Sequence, residues 1–176
     1  MGTAGHLTIE ENLSLAYKRG RTRLLRSALG KRRRELYREA LSHLDLGLEK
    51  RFKSLVGTLS GGQRQSLALV MATISKPAIL LLDEHIATLD PRTAKKVLDL
   101  TELIVREERM TAMMVTHNME HALQYGNRLV MMHQGKIVVD IDGERKSKLT
   151  INDLIASFER AAGEQFKDDT ILLSRD

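Results

Sequence analysis

A serine-led glycine turn and a pair of acids are the residues whose types and spacing predict chemistry in this sequence. Ser60 precedes Gly61 and Gly62, and Asp83 and Glu84 close an apolar run further along the chain. A serine can cap a helix, and a helix N-terminus carries free N–H groups and partial positive charge. Glycines let a phosphate approach such a backbone without a Cβ in the way. The turn therefore predicts a phosphate contact, with an ordinary capped helix as the alternative.

The acid pair follows a stretch that we expect to be a buried strand. Ile79–Leu82 is a short, unbroken apolar run between Pro77 and Asp83, which predicts a central parallel strand buried on both faces. Ligands of parallel sheets lie beyond the carboxyl ends of the strands. An aspartate there suits Mg²⁺, and the next carboxylate, Glu84, can orient and polarise a water. Two solvated acids at a strand end are the alternative.

Further elements must position these groups. A packed helix is expected from Gly61 to about Ser75, and a second from about Arg92 to Arg106, because Pro91 suits a first helical turn. Thr111–Val115 predicts another buried strand that ends on Thr116-His117, beside the first. His117 and His121 also have the i, i+4 spacing of metal ligands on a helix, but no third ligand is evident.

In this order, Leu59–Gln63, the strand that ends on Asp83-Glu84, and Leu89-Asp90-Pro91 resemble the ATPase subunit of ABC transporters, whose signature is Leu-Ser-Gly-Gly-Gln. The resemblance implies an α/β fold: an incomplete, P-loop NTPase-like, mostly parallel sheet with an ABC-type helical subdomain. It also implies ATP and Mg²⁺ as cofactors and an ATP-hydrolysing enzyme. The implied catalytic residues are Glu84, which activates the attacking water, and His117, which contacts the γ-phosphate; Asp83 holds Mg²⁺. The residues implied to contact ATP bound by an opposing subunit are Ser60, Gly61, Gly62, Gln63 and Asp90.

Two parts of the family pattern are missing from the sequence. No Gly-x-x-x-x-Gly-Lys-Ser/Thr occurs, and neither Gly30-Lys31 nor Gly135-Lys136 has the flanking residues of a P-loop. The family's Q-loop glutamine is also absent ahead of Thr8–Asn12, which matches a family Thr-x-x-Glu-Asn segment. We therefore expect an amino-terminally truncated family domain. In the family's strand order, the missing P-loop strand would leave unpaired sheet edges and a gap.

Composition and charge set the broad class. The 176 residues are 42% hydrophobic and 29% charged, with no cysteine and a net charge of +5, as in a globular protein without disulfides. No run approaches the length of a bilayer span and no secretion signal is present, so we expect a cytoplasmic protein. The resemblance to ABC transporter subunits implies a peripheral location on the inner face of the cell membrane. The expected division is a helical subdomain with the signature (1–77), the carboxyl-terminal part of the ATPase core (78–142), and a C-terminal helix and tail (143–176).

The amino-terminal third combines two predicted helices with a basic run. Thr8–Glu11 predicts a capping box for a helix that begins near Ile9 and ends at Gly20. A second helix is expected from about Lys31 to Leu44, because Leu36, Ala40 and Leu44 would lie on one face. Between Lys18 and Arg38 the sequence contains many basic residues and a single acidic one, Glu35. The basic residues are Lys18, Arg19, Arg21, Arg23, Arg26, Lys31, Arg32, Arg33, Arg34 and Arg38. A solvated helix face is the ordinary interpretation; nucleic acid or anionic lipid is the alternative.

The carboxyl-terminal third predicts a strand hairpin and a final helix. Arg128–His133 and Ile137–Ile141 flank the turn residues Gln134-Gly135. Gly143–Lys148 is expected to be a charged connector, and Thr150–Asp153 caps a helix to about Ala162. The tail after Ala162 is unassigned.

By resemblance, the function is that of an ATP-hydrolysing subunit of a bacterial ABC importer of an amino-acid-like solute, since Gly126–Leu154 resembles such importers weakly. The implied partners are a second ABC ATPase subunit and a transmembrane permease, and the chain has no membrane span of its own. Two alternatives remain open. The chain is a non-catalytic remnant or regulatory partner that supplies a signature half-site, or it is a soluble ABC ATPase acting on nucleic acid or ribosomes, which we consider unlikely.

Overall fold

The structure, a computed structural model, describes residues 2–17 and 31–160. The chain divides between Val115 and Thr116 into two compact units. Several predictions lie outside the described residues: the helix end at Gly20, the basic residues from Lys18 to Arg26, the end of the last helix at Ala162, and the tail.

The described elements are helices and short strands. The first unit contains α1 (Ile9–Tyr17), α2 (Lys31–Ser42), two single-turn 3₁₀ helices (Leu48–Lys50 and Val56–Thr58), α3 (Gly61–Thr73), β1 (Ile79–Asp83), α4 (Pro91–Glu107) and β2 (Thr111–Val115). The second unit contains α5 (Met119–Gln124), β3 (Arg128–His133), β4 (Lys136–Asp142), α6 (Gly143–Ser147) and a helix over 151–160, here α7.

The helical half of the first unit packs around α1 and α3. The predicted capping box at α1 is confirmed: Glu11 N–H donates to Thr8 Oγ1 (3.3 Å), and Thr8 N–H donates to a Glu11 carboxylate oxygen (2.8 Å). Apolar side chains of α1, α2 and α3 then share one core with the 3₁₀ turns. The fully buried members include Ile9, Leu13, Leu41, Leu48, Val56 and Leu67.

The predicted inward face of α2 is confirmed in part: Leu44 is buried and Ala40 packs against the core, but the prediction for Leu36 is wrong. Leu36 is 37% exposed, whereas Tyr37 and Leu41 are buried. The hydroxyl of Tyr37 lies 3.3 Å from that of Ser14, and burial raises the pKa of Tyr37. An aromatic ring with a hydrogen-bonded tip therefore takes the position that the spacing of Leu36, Ala40 and Leu44 predicted for aliphatic residues.

The parallel sheet of the first unit is confirmed as a pairing, but its burial was predicted incorrectly. β1 pairs with β2 in parallel, from Ile79↔Thr111 to Asp83↔Val115. Leu80 and Leu82 pack against α3 and α4, while Leu81 is 67% exposed. β2 is exposed at four of its five positions. β1 is therefore buried on one face, which the described helices cover, whereas β2 has no buried residue.

Among the described residues the strands form two separate two-stranded sheets, β1-β2 and β3-β4. β1 thus has one strand neighbour rather than the two of the central strand that we predicted. On the uncovered face of β1-β2, large apolar side chains meet solvent. They are Ile79, Leu81, Met113 and Val115.

The second unit is built on the predicted hairpin. β3 and β4 pair antiparallel around Gln134 and Gly135, whose φ angles are 46° and 78°, as a tight hairpin turn requires. The predicted cap of the last helix is confirmed, since Asp153 N–H donates to Thr150 Oγ1 (3.2 Å). In the part of the chain that the structure describes, no helix is both long and apolar enough to cross a bilayer.

The segment from Gly143 was predicted as a charged connector but forms the short helix α6. Its Lys146 is 5% exposed and donates to the carbonyls of Tyr125 (2.6 Å) and Gly126 (2.7 Å). The ammonium group supplies donors to carbonyls at the end of α5. The helix is therefore stabilised by tertiary contacts that a charged pentapeptide does not reveal.

Candidate functional site

The glycine turn opens α3 as the sequence predicts. Ser60 Oγ accepts from Gln63 N–H (3.3 Å), and the Gln63 side chain accepts in return from Ser60 N–H (3.1 Å), which completes a capping box. The N–H groups of Gly61 and Gly62 have no acceptor among the described residues. Two free donors at a helix N-terminus can bind an anion such as a phosphate.

Arg64 fixes the loop that leads into this turn. Its Nη2 donates to the carbonyls of Gly57 (3.3 Å) and Leu59 (3.4 Å). Leu59 itself is buried in the helical core. The turn is thus held from both sides, by an apolar anchor before it and by a guanidinium reaching back from α3. Sequence reasoning assigned Arg64 no role, although its place directly after the signature was the available signal.

The two glycines lie close to α4 and the residue before Asp90. A Cβ on Gly61 would lie 3.5 Å from Leu89 Cδ2, an ordinary contact, whereas one on Gly62 would overlap the γ-methyl of Thr93. Neither glycine has a positive φ. Gly62 is therefore required by the close approach of α3 and α4, in addition to any access that it gives to a phosphate.

Asp90 caps α4. Its Oδ1 accepts from Thr93 N–H (3.1 Å), and hydrogen bonds from the hydroxyl and then the N–H of Thr93 lower the pKa of the Asp90 carboxyl. The carboxylate therefore stays ionised at the positive end of the helix. This local role is additional to the predicted contact with an opposing subunit.

Asp83 and Glu84 lie at the carboxyl end of β1. Both are exposed, and Asp83 is paired with Val115, the last residue of β2. Glu84 N–H donates to Val115 O (3.1 Å), so pairing continues one residue past β1, and Glu84 has a φ of 40°. A positive φ is uncommon for a glutamate and is held here by the surrounding hydrogen bonds. Asp83 offers a hard oxygen ligand that fits Mg²⁺ when phosphate oxygens complete the coordination.

His85 is a residue that sequence reasoning left without chemistry. It is half-buried, its Nε2 lies 3.5 Å from Thr101 Oγ1 of α4, and burial lowers the pKa of its imidazole. Its Nδ1 is buried and has no hydrogen-bond partner among the described residues. The contact attaches the turn after Glu84 to α4. No local pattern could have found it, because it depends on how α4 packs.

We expect the buried His85 to make stability dependent on pH. Its folded-state pKa lies below the ordinary value of 6.5, so the unfolded chain binds the proton more readily and stability falls as pH drops from about 6.5 toward the folded pKa. Chemical denaturation at pH 7.5 and pH 5.5 should show a smaller loss for His85→Gln than for the wild type. The exposed His43→Gln is the control. Equal losses in wild type and His85→Gln would contradict this.

His117 follows β2 by two residues and begins the second unit. It is exposed, and Asn118 caps α5 through His121 N–H (2.9 Å). Among the described residues no three His, Asp or Glu side chains form a metal-binding group. The structure thus places the signature turn beside Leu89 and Thr93, on either side of Asp90. It places Asp83 and Glu84 at the end of β2. His117 belongs to the other unit.

Comparisons with known proteins find similarity to one family. The ABC transporter family model matches residues 2–87. The tyrosine transport ATP-binding protein of Clostridioides difficile is 45% identical over 161 residues, which is 92% of this chain and 64% of that protein. The phosphate-import ATP-binding protein PhnC of Mycolicibacterium smegmatis is 36% identical over 89% of this chain and 58% of that protein.

The fold is also that of a solved transporter. A metal-chelate type ABC transporter in an inward-facing conformation matches 90% of this chain and 61% of its own chain, with a TM-score of 0.69 and 22% identity. This confirms the predicted α/β class. The chain spans less than two thirds of the length of the two curated relatives above. With the signature turn and the acid pair both in place, residues 2–87 match the ABC transporter family, and the chain is similar to ATP-binding proteins of that family.

Proposed function

We propose that the chain is an ATP-binding subunit of an ABC importer and takes part in the ATP hydrolysis that drives transport. The observation that carries this is one unit containing both the capped α3 N-terminus, with free N–H groups at Gly61 and Gly62, and a strand ending on Asp83-Glu84. A turn that binds phosphate and a carboxylate pair that can bind a metal ion and orient a water are both used in phosphoryl transfer. This reaction depends on positioning and electrostatic stabilisation.

Each site residue has a proposed role. Asp83 holds Mg²⁺, which neutralises charge on the phosphate oxygens when bound. Glu84 accepts the proton of the attacking water, and His117 contacts the γ-phosphate. The residues that contact ATP held by an opposing subunit are Ser60, Gly61, Gly62, Gln63 and Asp90. Their support is the similarity to the ABC transporter family and the exposure of the two acids at a strand's carboxyl end.

The P-loop is proposed to come from polypeptide outside these 176 residues, which contain no such motif. The exposed apolar face of β1-β2, formed by Ile79, Leu81, Met113 and Val115, supports this. Apolar sheet faces are normally covered in α/β proteins, and a further strand with its own helix would both cover this face and extend the sheet. We retain the division into 1–77, 78–142 and 143–176 as part of this proposal.

The partners and solute are proposed from the relatives. Several curated relatives are import ATP-binding proteins, for phosphate and thiamine among others, which supports a transmembrane permease partner and a place on the inner face of the membrane. The 45% identity to a tyrosine transport protein supports an amino-acid-like solute. Uptake of labelled tyrosine, compared with labelled phosphate, should depend on Ser60 in cells that express the transporter. If only the uptake of phosphate depended on Ser60, the proposed amino-acid-like solute would be rejected.

Reconstitution tests the proposed function. An ABC ATP-binding subunit with an intact P-loop, but with arginine in place of its signature serine, lacks a working signature half-site. Adding this chain should restore Mg-ATP hydrolysis, and the chain carrying Ser60→Arg should restore about 10²- to 10³-fold less, the usual cost of losing a transition-state donor. The matched control is Ser42→Arg, at an exposed position in α2. No rescue by the wild-type chain would contradict the proposal.

A half-site donor without hydrolysis of its own is the second candidate, and the missing P-loop is the observation that favours it. The nucleic-acid alternative loses support because three of the basic residues of α2 have local partners. Arg34 pairs with Glu10 (2.5 Å), Arg33 lies 5.9 Å from the Tyr17 ring centroid, and Arg38 lies 5.6 Å from that of Phe52.

A further inference from the structure

Thr93, in the first turn of α4, contacts the signature turn and Asp90 at the same time. Its γ-methyl occupies the space beside Gly62 that a Cβ would need. Its N–H donates to Asp90 Oδ1 (3.1 Å), and its hydroxyl lies close enough to the same carboxyl to lower the pKa of Asp90. A second contact supports the first, because Leu89, directly before Asp90, lies against Gly61.

The branched side chain of threonine makes these contacts interdependent. Hydroxyl and methyl share one Cβ, so a rotation about χ1 that moves the methyl away from Gly62 also moves the hydroxyl away from Asp90. The N–H of Thr93 donates to a charged acceptor, which gives a stronger hydrogen bond than a neutral one. The orientation of Asp90 is thus linked to the distance between α3 and α4 at Gly62.

We propose that Thr93 is a positioning residue that couples the phosphate-contacting turn of α3 to the Asp90 carboxylate. Binding of a phosphate at the N–H groups of Gly61 and Gly62 then constrains Asp90, and a contact made by Asp90 constrains the turn. The functional meaning of this coupling rests on the proposed function, since it presumes that the turn binds a nucleotide phosphate. The coupling itself is a property of the free chain.

The coupling is measurable by carbon-detected NMR titration of the Asp90 carboxyl in the full chain. Thr93→Val, which keeps a methyl and loses the hydroxyl, should raise the pKa of Asp90, and Thr93→Ser should leave it low. Gly62→Ala should also raise the pKa of Asp90, because the added Cβ displaces the Thr93 side chain. Adding Thr93→Ser to Gly62→Ala should return it to the wild-type value. Gly61→Ala is the matched control and should leave the Asp90 titration unchanged.

Two results would overturn the proposal. The first is a folded Gly62→Ala chain whose Asp90 titrates as in the wild type; the second is an equal shift in Gly61→Ala. If Gly62→Ala does not fold, the double variant with Thr93→Ser must restore folding, and failure to do so contradicts the steric link. These measurements need no nucleotide. An intact coupling with no rescue of ATP hydrolysis would therefore reject the proposed function alone, and rescue without coupling would reject the role of Thr93 alone.

Discussion

Replacing Glu84 with glutamine is expected to lower kcat for ATP hydrolysis by about 10²- to 10⁴-fold, the usual contribution of a general base. The assay uses the chain extended by the P-loop-bearing segment of an ABC ATP-binding subunit, so that the acid pair lies in a complete site. Glutamine keeps the size of the side chain but cannot accept the proton of the attacking water. ATP affinity should change little, because the base acts in the transition state.

Glu107→Gln, at an exposed position near the end of α4, is the control for the loss of one carboxylate and should retain full turnover. An active Glu84→Gln enzyme would contradict the catalytic role of this residue. If Ser60→Arg still abolished rescue of the signature-defective subunit, that combination would identify the chain as a half-site donor.

Replacing Leu67 with alanine is expected to lower the free energy of unfolding by about 2–5 kcal/mol, the range for large-to-small changes in a packed core. Leu67 is fully buried in the cluster that anchors α3 to α1, α2 and the 3₁₀ turns. Because the free N–H groups of Gly61 and Gly62 lie at the start of the same helix, the loss also loosens the phosphate-contacting turn.

Urea denaturation monitored by circular dichroism measures this loss. Leu15→Ala serves as the matched control, because Leu15 is 57% exposed on α1, and surface substitutions usually change stability by about 0.5 kcal/mol or less. Similar destabilisation by the two substitutions would mean that α3 is not anchored through this core.

Local signals in the sequence predicted the ends of elements well. The capping pairs Thr8–Glu11 and Thr150–Asp153, the serine cap at Ser60 and the hairpin turn at Gln134-Gly135 each depend on residues within a few positions of one another, and the structure confirms them. Such motifs act through backbone groups of the same turn. They can therefore be identified without knowing what the element packs against.

Burial and long-range contacts were predicted less well, because they depend on distant parts of the chain. The apolar run of β1 suggested two covered faces, yet Ile79 and Leu81 are exposed since α3 and α4 cover one face. The contacts of His85 with Thr101 and of Gly62 with Thr93 join positions that no local pattern relates. The signature identified Gly62, but only the packing of α4 explains why a side chain there is excluded.

The most direct test of the central claim follows the backbone amide resonances of Gly61 and Gly62 in the isotope-labelled chain. Both resonances should shift when the chain is mixed with a P-loop-bearing ABC subunit and a non-hydrolysable Mg-ATP analogue. Mg-ADP in the same mixture, and the analogue with the chain alone, should leave them in place. Equal shifts with Mg-ADP, or micromolar binding of the analogue by the chain alone, would contradict a turn that recognises the terminal phosphate of a nucleotide held by another polypeptide.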